Sequence, residues 1–166
     1  MEIREMETSA LEERAAAISA EAEVEGADLD ALEKLENACF SDPWSRREIE
    51  GAVLSPVNLW LCACVGQALV GSLGAQIIAP EADILSIATH PDYRRKGVAR
   101  ALLSCFFTMA HSADKVFLEV RRSNAAAQAL YEAAGFQPFG MRKSYYEKPV
   151  EDAILYSWTR PGEEIC

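Results

Sequence analysis

The sequence predicts an α/β or α+β fold in which one mixed sheet carries helices on its flanks. Apolar residues with strand-like spacing recur in about six or seven segments, and apolar residues with helical spacing recur in about four. The order is a hairpin, a strand–loop–helix–strand unit, a further helix and two final strands, which is typical of a single sheet covered by helices. A chain of 166 residues can form one domain with a substantial core.

The predicted strands share alternating or continuous apolar residues bounded by turn residues. In chain order they cover residues 17–24, 59–65, 68–78, 83–89, 116–121, 139–146 and 153–158. Gly71 and Gly74 lie inside one of them. Glycines at such positions predict a bulge or the close approach of another segment.

The predicted helices are placed by their start and stop residues. They begin near residues 28, 45, 98 and 124. Ser45 caps the second helix, and Glu48 three residues later completes the pattern of a capping box. Gly135 provides a C-terminal stop for the fourth helix.

Along the chain we expect an acidic extension at residues 1–16, helical or disordered, a single domain at residues 17–160, and a tail at residues 161–166. No uninterrupted apolar stretch approaches the ~20 residues that a bilayer span requires. The Glu-rich N-terminus lacks the apolar core of a signal peptide. We therefore expect a cytoplasmic protein with no membrane contact.

Charge and cysteine content restrict the function further. The formal net charge of -10 disfavours a nucleic-acid partner, because phosphates would be repelled. It suits a basic peptide partner, although it also fits a role in solubility alone. The five cysteines are odd in number and form no C-x-x-C pair, which is typical of reduced thiols. His90 and His111 lack a second ligand at metal-site spacing, so we expect no metal.

The most informative segment is Arg94-Arg95-Lys96-Gly97-Val98-Ala99-Arg100, which follows a predicted strand and begins a predicted helix. The first turn of a helix binds anions through its unpaired N–H groups and partial positive charge. Gly97 lets the backbone approach an anion, and Ala99 leaves the helix start uncrowded. Cations oppose the macrodipole at this end, so four of them in an acidic chain indicate a bound anion. The alternative is a solvated run of charge. Neither a Walker loop nor a Rossmann fingerprint is present.

This segment resembles the Q/R-x-x-G-x-G/A motif with which the GNAT acetyltransferase superfamily binds the pyrophosphate of coenzyme A. Further segments resemble one subfamily, the ribosomal-protein-alanine N-acetyltransferases, in the same order along the chain. They are Glu36-Asn37-Ala38-Cys39-Phe40-Ser41-Asp42-Pro43-Trp44, Leu118-Glu119-Val120-Arg121-Arg122-Ser123-Asn124-Ala125-Ala126-Ala127, Ala129-Leu130-Tyr131-Glu132-Ala133-Ala134-Gly135-Phe136, Tyr145-Tyr146 and Glu151-Asp152-Ala153-Ile154. The resemblance covers residues 20–158 and implies the GNAT fold, with a mostly antiparallel mixed sheet of about six or seven strands and about four helices.

Two segments depart from the family pattern. Ala99 stands where many relatives have a second glycine, and Glu147-Lys148-Pro149-Val150 replaces a glycine-bearing hairpin turn. The first substitution is permitted by the motif, whereas the second changes the loop on the acceptor side.

The resemblance implies acetyl-CoA as cosubstrate and assigns its binding residues. The pyrophosphate is expected on residues 94–100. The pantetheine arm is expected beside Ile87, Ala88 and Thr89, whose backbone would also polarise the thioester carbonyl. Asn124 would contact the arm and also cap the following helix.

Two residues are candidates for the proton chemistry, again by resemblance. Glu119 is the candidate base, acting through water, and the alternative is a strand glutamate paired with Arg121 or with water. Tyr131 is the candidate acid, giving a proton or a hydrogen bond to the departing sulfur, and the alternative is a core tyrosine. Tyr145 and Tyr146 line the acceptor groove or serve in packing.

The implied function is transfer of an acetyl group from acetyl-CoA to a protein N-terminal amine, by direct attack in a ternary complex. The expected acceptor is the basic N-terminal peptide of a ribosomal protein, the N-terminal alanine of small-subunit ribosomal protein number eighteen. The alternatives are other protein N-termini, lysine or small amines, or a non-catalytic coenzyme A-binding module.

Overall fold

A computed structural model describes residues 26–162 of the chain. Its helices are α1 (Gly26–Cys39), α2 (Arg46–Val53), α3 (Val98–Met109) and α4 (Ala125–Ala133). Its strands are β1 (Asn58–Val65), β2 (Ala68–Ile78), β3 (Glu81–Thr89), β4 (Lys115–Arg121), β5 (Gln137–Glu147) and β6 (Val150–Thr159). The predicted extension at residues 1–16 and the predicted strand at 17–24 lie outside the described residues.

The strands form one sheet in the order β1-β2-β3-β4-β6-β5. The pairs β1–β2, β4–β6 and β5–β6 are antiparallel. Strands β3 and β4 are parallel, with Cα partners from Glu81–Lys115 to Asp83–Phe117. Within residues 26–162 the fold is thus a mixed sheet of six strands with four helices, which confirms the predicted fold class.

Local sequence signals define several helix ends. Ser45 caps α2, and Glu48 forms the reciprocal half of the predicted capping box. The Asn124 side chain accepts a hydrogen bond from the Ala127 backbone amide at 3.1 Å and so caps α4. Beyond α4, Gly135 has a φ of +94°, the left-handed conformation that glycine adopts without strain.

Residues 26–162 divide into two compact units. The first comprises residues 26–76 and 84–109, and so contains α1, α2, β1, α3, most of β2 and the end of β3. Its helices α1 and α2 bury Leu29, Leu32 and Ile49 with Trp60 of β1. Gly71 of β2 permits a close approach, because an added Cβ would lie 2.5 Å from Val98 Cγ1 of α3.

The second unit comprises residues 77–83 and 110–162, and so contains β4, α4, β5 and β6. Alternate residues of β4 are buried, namely Val116, Leu118 and Val120. The residues between them, Phe117, Glu119 and Arg121, share the opposite face, as strand alternation requires. This opposite face carries the candidate base.

Candidate active site

The predicted phosphate-binding turn directly precedes α3. The Gly97 carbonyl accepts the first helical hydrogen bond, from the Ala101 amide at 2.9 Å. Arg95 and Gly97 both have positive φ, +61° and +85°. Left-handed residues in a turn direct successive backbone amides to one side, where they form a concave anion site. An added Cβ on Gly97 would meet no atom within 4 Å, so the backbone there is open to a ligand.

The cationic side chains of this turn are exposed. Arg94 Nε donates to the Thr89 carbonyl at 3.3 Å, and Lys96 Nζ lies 5.0 Å from the centroid of the Tyr93 ring. Within the described part of the chain, Arg95, Lys96 and Arg100 form no ion pair with a carboxylate. Their charge is therefore not neutralised by a carboxylate of the described residues, and the binding of an anion there stays a prediction.

The end of β3 supplies the residues predicted to lie beside the pantetheine arm. Ile87, Ala88 and Thr89 lie beyond the segment of β3 that pairs with β4. The Thr89 carbonyl accepts from the Cys39 thiol at 3.2 Å as well as from Arg94. The backbone that precedes the phosphate turn is therefore tied to α1 and to the turn itself.

Glu119 has different partners from those that its sequence alternative named. Glu119 Oε2 accepts a hydrogen bond from the Tyr145 hydroxyl at 3.1 Å, and Glu119 Oε1 lies 3.2 Å from Arg142 Nη1. Both partners come from β5, whereas the Arg121 guanidinium donates hydrogen bonds to the carbonyl groups of Lys148 and Pro149. The Arg142 side chain is 56% exposed, so its ion pair with Glu119 is weak and water can replace it. Glu119 is thus oriented by a tyrosine and remains accessible to solvent.

A second carboxylate lies near Glu119. Asp83 of β3 is aligned with Phe117 of β4, so it belongs to the same local surface. Partial burial and the negative charges of Glu119 and Glu81 raise the pKa of Asp83. Sequence reasoning did not find Asp83, because only the parallel register brings it to Glu119.

Tyr131 is buried in the core of the second unit. Its ring contacts Phe136 and Tyr156, with centroids 5.8 Å and 6.3 Å away. Burial raises the pKa of Tyr131 well above its usual range, and Tyr146 adds to the shift. A tyrosine in this environment keeps its proton, so it suits hydrogen-bond donation better than complete proton transfer.

Tyr146 interacts electrostatically with both catalytic candidates. Burial, and to a smaller extent the negative charge of Glu119, raises the pKa of Tyr146 to about 12. Tyr146 in turn contributes to the raised pKa of Tyr131. The rings of Tyr145 and Tyr146 meet edge to face at 5.1 Å. Tyr146, near the end of β5, is therefore close enough to both Glu119 of β4 and Tyr131 in the last turn of α4 to affect or feel their charge.

Among residues 26–162, no group of three or more His, Cys, Asp or Glu side chains is placed to bind a metal ion. In the same residues, no helix has the length and apolar character needed to cross a bilayer.

The sheet order β1-β2-β3-β4-β6-β5, with a basic turn after β3 and a partly exposed glutamate on β4, is the arrangement that the comparison with known proteins identifies. The chain matches the acetyltransferase (GNAT) family over residues 29–136. That match includes the phosphate turn, Glu119 and Tyr131. The chain belongs to this family and is an acetyltransferase.

Named relatives support the same family. The chain is 35% identical over 133 residues to the ribosomal protein bS18-alanine N-acetyltransferase of Salmonella typhimurium, covering 77% of this chain and 88% of the relative. It is 35% identical over 133 residues to the N-alpha-acetyltransferase RimI of Mycobacterium tuberculosis, covering 76% and 84%. The crystal structure of the ribosomal-protein-S18-alanine N-acetyltransferase from Escherichia coli superposes with a TM-score of 0.77 at 31% identity, covering 87% of this chain and 97% of that chain.

Proposed function

We propose that the chain transfers the acetyl group of acetyl-CoA to the α-amine of a protein N-terminus, with the N-terminal alanine of ribosomal protein bS18 as its acceptor. The observation that carries this proposal is the named activity of the relatives, which the chain matches over most of their length. The net charge of -10 favours a basic acceptor peptide.

The first unit binds the cosubstrate in this proposal. The amides of the turn at Gly97 bind the diphosphate, and Arg94, Arg95, Lys96 and Arg100 add positive charge. The backbone of Ile87, Ala88 and Thr89 lies beside the pantetheine arm. Val98 and Ala99 form the first turn of α3, where the diphosphate meets the helix N-terminus. The Val98 side chain is buried against β2, so Val98 offers its backbone amide, and the small Ala99 leaves the helix start uncrowded.

The second unit carries the proton chemistry. An N-terminal amine has a pKa of about 7.7–8.0, against about 10.4 for lysine, so a modest base is sufficient near neutral pH. Glu119 accepts the proton of the attacking amine through a water molecule that enters beside Tyr145. The amine nitrogen forms the new amide bond, and the carbon–sulfur bond breaks as the tetrahedral intermediate collapses.

Tyr131 acts on the leaving group. Its raised pKa means that it stabilises the departing thiolate by a hydrogen bond, and the thiolate takes its proton from solvent after release. Asn124 caps α4, the helix that carries Tyr131, and its exposed amide contacts the pantetheine arm.

A broader acceptor range is the second candidate, because one relative is named only as an N-alpha-acetyltransferase. A peptide panel separates the two. Peptides that share a basic sequence and differ only in the first residue are incubated with acetyl-CoA and analysed by mass spectrometry. Strong preference for alanine supports the bS18-type acceptor, and equal acetylation of many first residues supports the broader range. Acetylation of none of the peptides contradicts both.

A further inference from the structure

One arginine beside the candidate base has a set of contacts that the mechanism above does not use. The Arg121 guanidinium donates from Nη1 to the Pro149 carbonyl at 3.0 Å and from Nη2 to the Lys148 carbonyl at 3.2 Å. Its Nη1 also lies 3.5 Å from Glu151 Oε1. Its central carbon lies 4.3 Å from the centroid of the Tyr146 ring. We call these residues, Arg121, Tyr146, Lys148, Pro149 and Glu151, the Arg121 cluster.

The geometry uses what is specific to arginine. The planar fork of a guanidinium can donate to two carbonyl groups at once while its face lies on an aromatic ring. Lys148 and Pro149 form the turn between β5 and β6, the segment that departs from the family pattern. The Arg121 side chain is only 22% exposed, so these hydrogen bonds are partly shielded from water. Arg121 thus fixes the turn and the Tyr146 ring against β4.

Glu151 extends the cluster to the start of α4. Glu151 Oε2 accepts from the Ser123 amide at 2.6 Å, and Glu151 Oε1 accepts from the Ser123 hydroxyl at 3.0 Å. These hydrogen bonds, and to a smaller extent the Arg121 guanidinium, hold the pKa of the Glu151 carboxyl below its ordinary value. The hairpin turn is therefore joined to the residue that precedes Asn124.

The end of β5 has an unusual path that this cluster stabilises. Arg142 pairs with Ala153 and Tyr146 pairs with Glu151, so the three residues 143–145 face Asp152 alone. Within this bulge Ser144 has a φ of +51°, and its amide donates to Asp152 Oδ1 at 2.9 Å. The bulge directs the Tyr145 hydroxyl to Glu119. The candidate base is therefore in direct contact with the bulged end of this hairpin.

We propose that Arg121 is a positioning residue that fixes the β5–β6 turn and the Tyr146 ring, and thereby sets the affinity for the acceptor peptide. This inference rests on the proposed function, since it assumes that Glu119 serves the acceptor amine. It assigns to Arg121 no contact with either substrate.

The test compares Arg121→Gln and Arg121→Lys with Arg122→Gln. Arg122 is the adjacent residue, is 65% exposed and makes a 3.6 Å ion pair with Asp152, so its substitution removes the same charge without affecting the turn carbonyls. For each variant we would measure the KM for an alanine-initiated basic peptide, the KM for acetyl-CoA, kcat and the melting temperature.

We expect Arg121→Gln to raise the peptide KM about tenfold, because two charge-assisted hydrogen bonds and the ring contact are lost. The KM for acetyl-CoA should stay within about twofold of wild type. Arg121→Lys should raise the peptide KM about threefold, since one ammonium cannot serve both carbonyls at this geometry. Arg122→Gln should change neither constant by more than about twofold. If Arg121→Gln fails to fold, Arg121→Lys carries the test.

An unchanged peptide KM in the folded Arg121 variants would overturn the inference, as would equal increases in both Michaelis constants. Hydrogen exchange at residues 147–151 gives a readout that needs no activity. Arg121→Gln should speed exchange there and Arg122→Gln should not, and equal exchange in both would refute the positioning role. A wild-type protein that acetylates no peptide would instead refute the proposed function, while the exchange result would still decide whether Arg121 fixes the turn.

Discussion

Replacing Gly97 with alanine tests the phosphate-binding turn directly. Gly97 has a φ of +85°, and an alanine there costs about 1–2 kcal/mol because its Cβ crowds the backbone. No neighbouring atom lies within 4 Å of the added Cβ, so a steric clash contributes nothing in the free protein. Because the turn at Gly97 belongs to no strand pair, we expect the variant to relax when no ligand is bound and to recover the left-handed conformation on binding.

The strain should therefore appear as lost affinity. We expect Gly97→Ala to weaken acetyl-CoA binding by about 5- to 30-fold, the equivalent of 1–2 kcal/mol. The added methyl group would also obstruct the approaching diphosphate, so the measured loss of acetyl-CoA affinity should not fall below this range. Isothermal titration calorimetry with acetyl-CoA measures the change, and thermal unfolding checks that the fold is intact.

Gly66→Ala is the matched control. Gly66 has a φ of +61°, and an added Cβ there also meets nothing within 4 Å. It lies in the turn between β1 and β2, where Val65 pairs with Ala68, so the backbone cannot relax without losing strand pairing. The control should lose about 1–2 kcal/mol of stability and keep its acetyl-CoA affinity. Wild-type affinity in Gly97→Ala, or an equal loss of affinity in Gly66→Ala, would refute the reasoning.

Three further predictions concern buried and catalytic groups. Tyr131→Phe should lower kcat about 100-fold with acetyl-CoA affinity nearly unchanged. The control Tyr156→Phe loses a 2.8 Å hydrogen bond to Glu132 in the same core, so it should lower stability and leave kcat near wild type. Equal kcat for both variants would exclude Tyr131 from the mechanism. Glu119→Gln should reduce kcat/KM about 100-fold at pH 6.5 and much less at pH 9. Below the amine pKa a base must remove the ammonium proton before attack, whereas above that pKa the neutral amine attacks directly and the remaining proton can pass to solvent as the intermediate collapses. A loss that does not vary with pH would indicate peptide positioning instead. Glu36→Gln should remove a pH dependence of stability, since burial raises the pKa of Glu36 above 4.5. The wild-type free energy of unfolding should therefore fall as pH rises from about 4.5 through the raised pKa, by about 1.4 kcal/mol for each unit of that shift. Parallel profiles of stability against pH for the two proteins, measured by urea denaturation between about pH 4 and 8, would contradict this.

Features set by short-range chemistry were predictable from the sequence. The capping box at Ser45, the cap at Asn124 and the stop at Gly135 each depend on a few adjacent residues, and all three are present. The close approach at Gly71 also followed from one glycine within a strand. The basic turn lies directly before α3, where adjacent residues place it, while its binding of a phosphate stays a prediction.

Features set by strand register were not predictable. The sequence named Arg121 as the alternative partner of Glu119, but Arg142 and Tyr145 contact it, because the bulge at residues 143–145 changes which side chains of β5 face β4. The Arg121 guanidinium instead donates hydrogen bonds to the carbonyl groups of Lys148 and Pro149 in the β5–β6 turn. The placement of β6 between β4 and β5 decides these contacts, and alternation along a single strand carries no information about it.

The most direct test of the central claim locates the transferred acetyl group. A basic peptide that begins with alanine and contains internal lysines is incubated with the protein and acetyl-CoA, and fragment-ion mass spectrometry assigns the modified nitrogen. We predict a single acetyl group on the α-amine, with the lysine side chains unmodified. Acetylation confined to lysine, or no acetylation while acetyl-CoA is bound, would contradict the account.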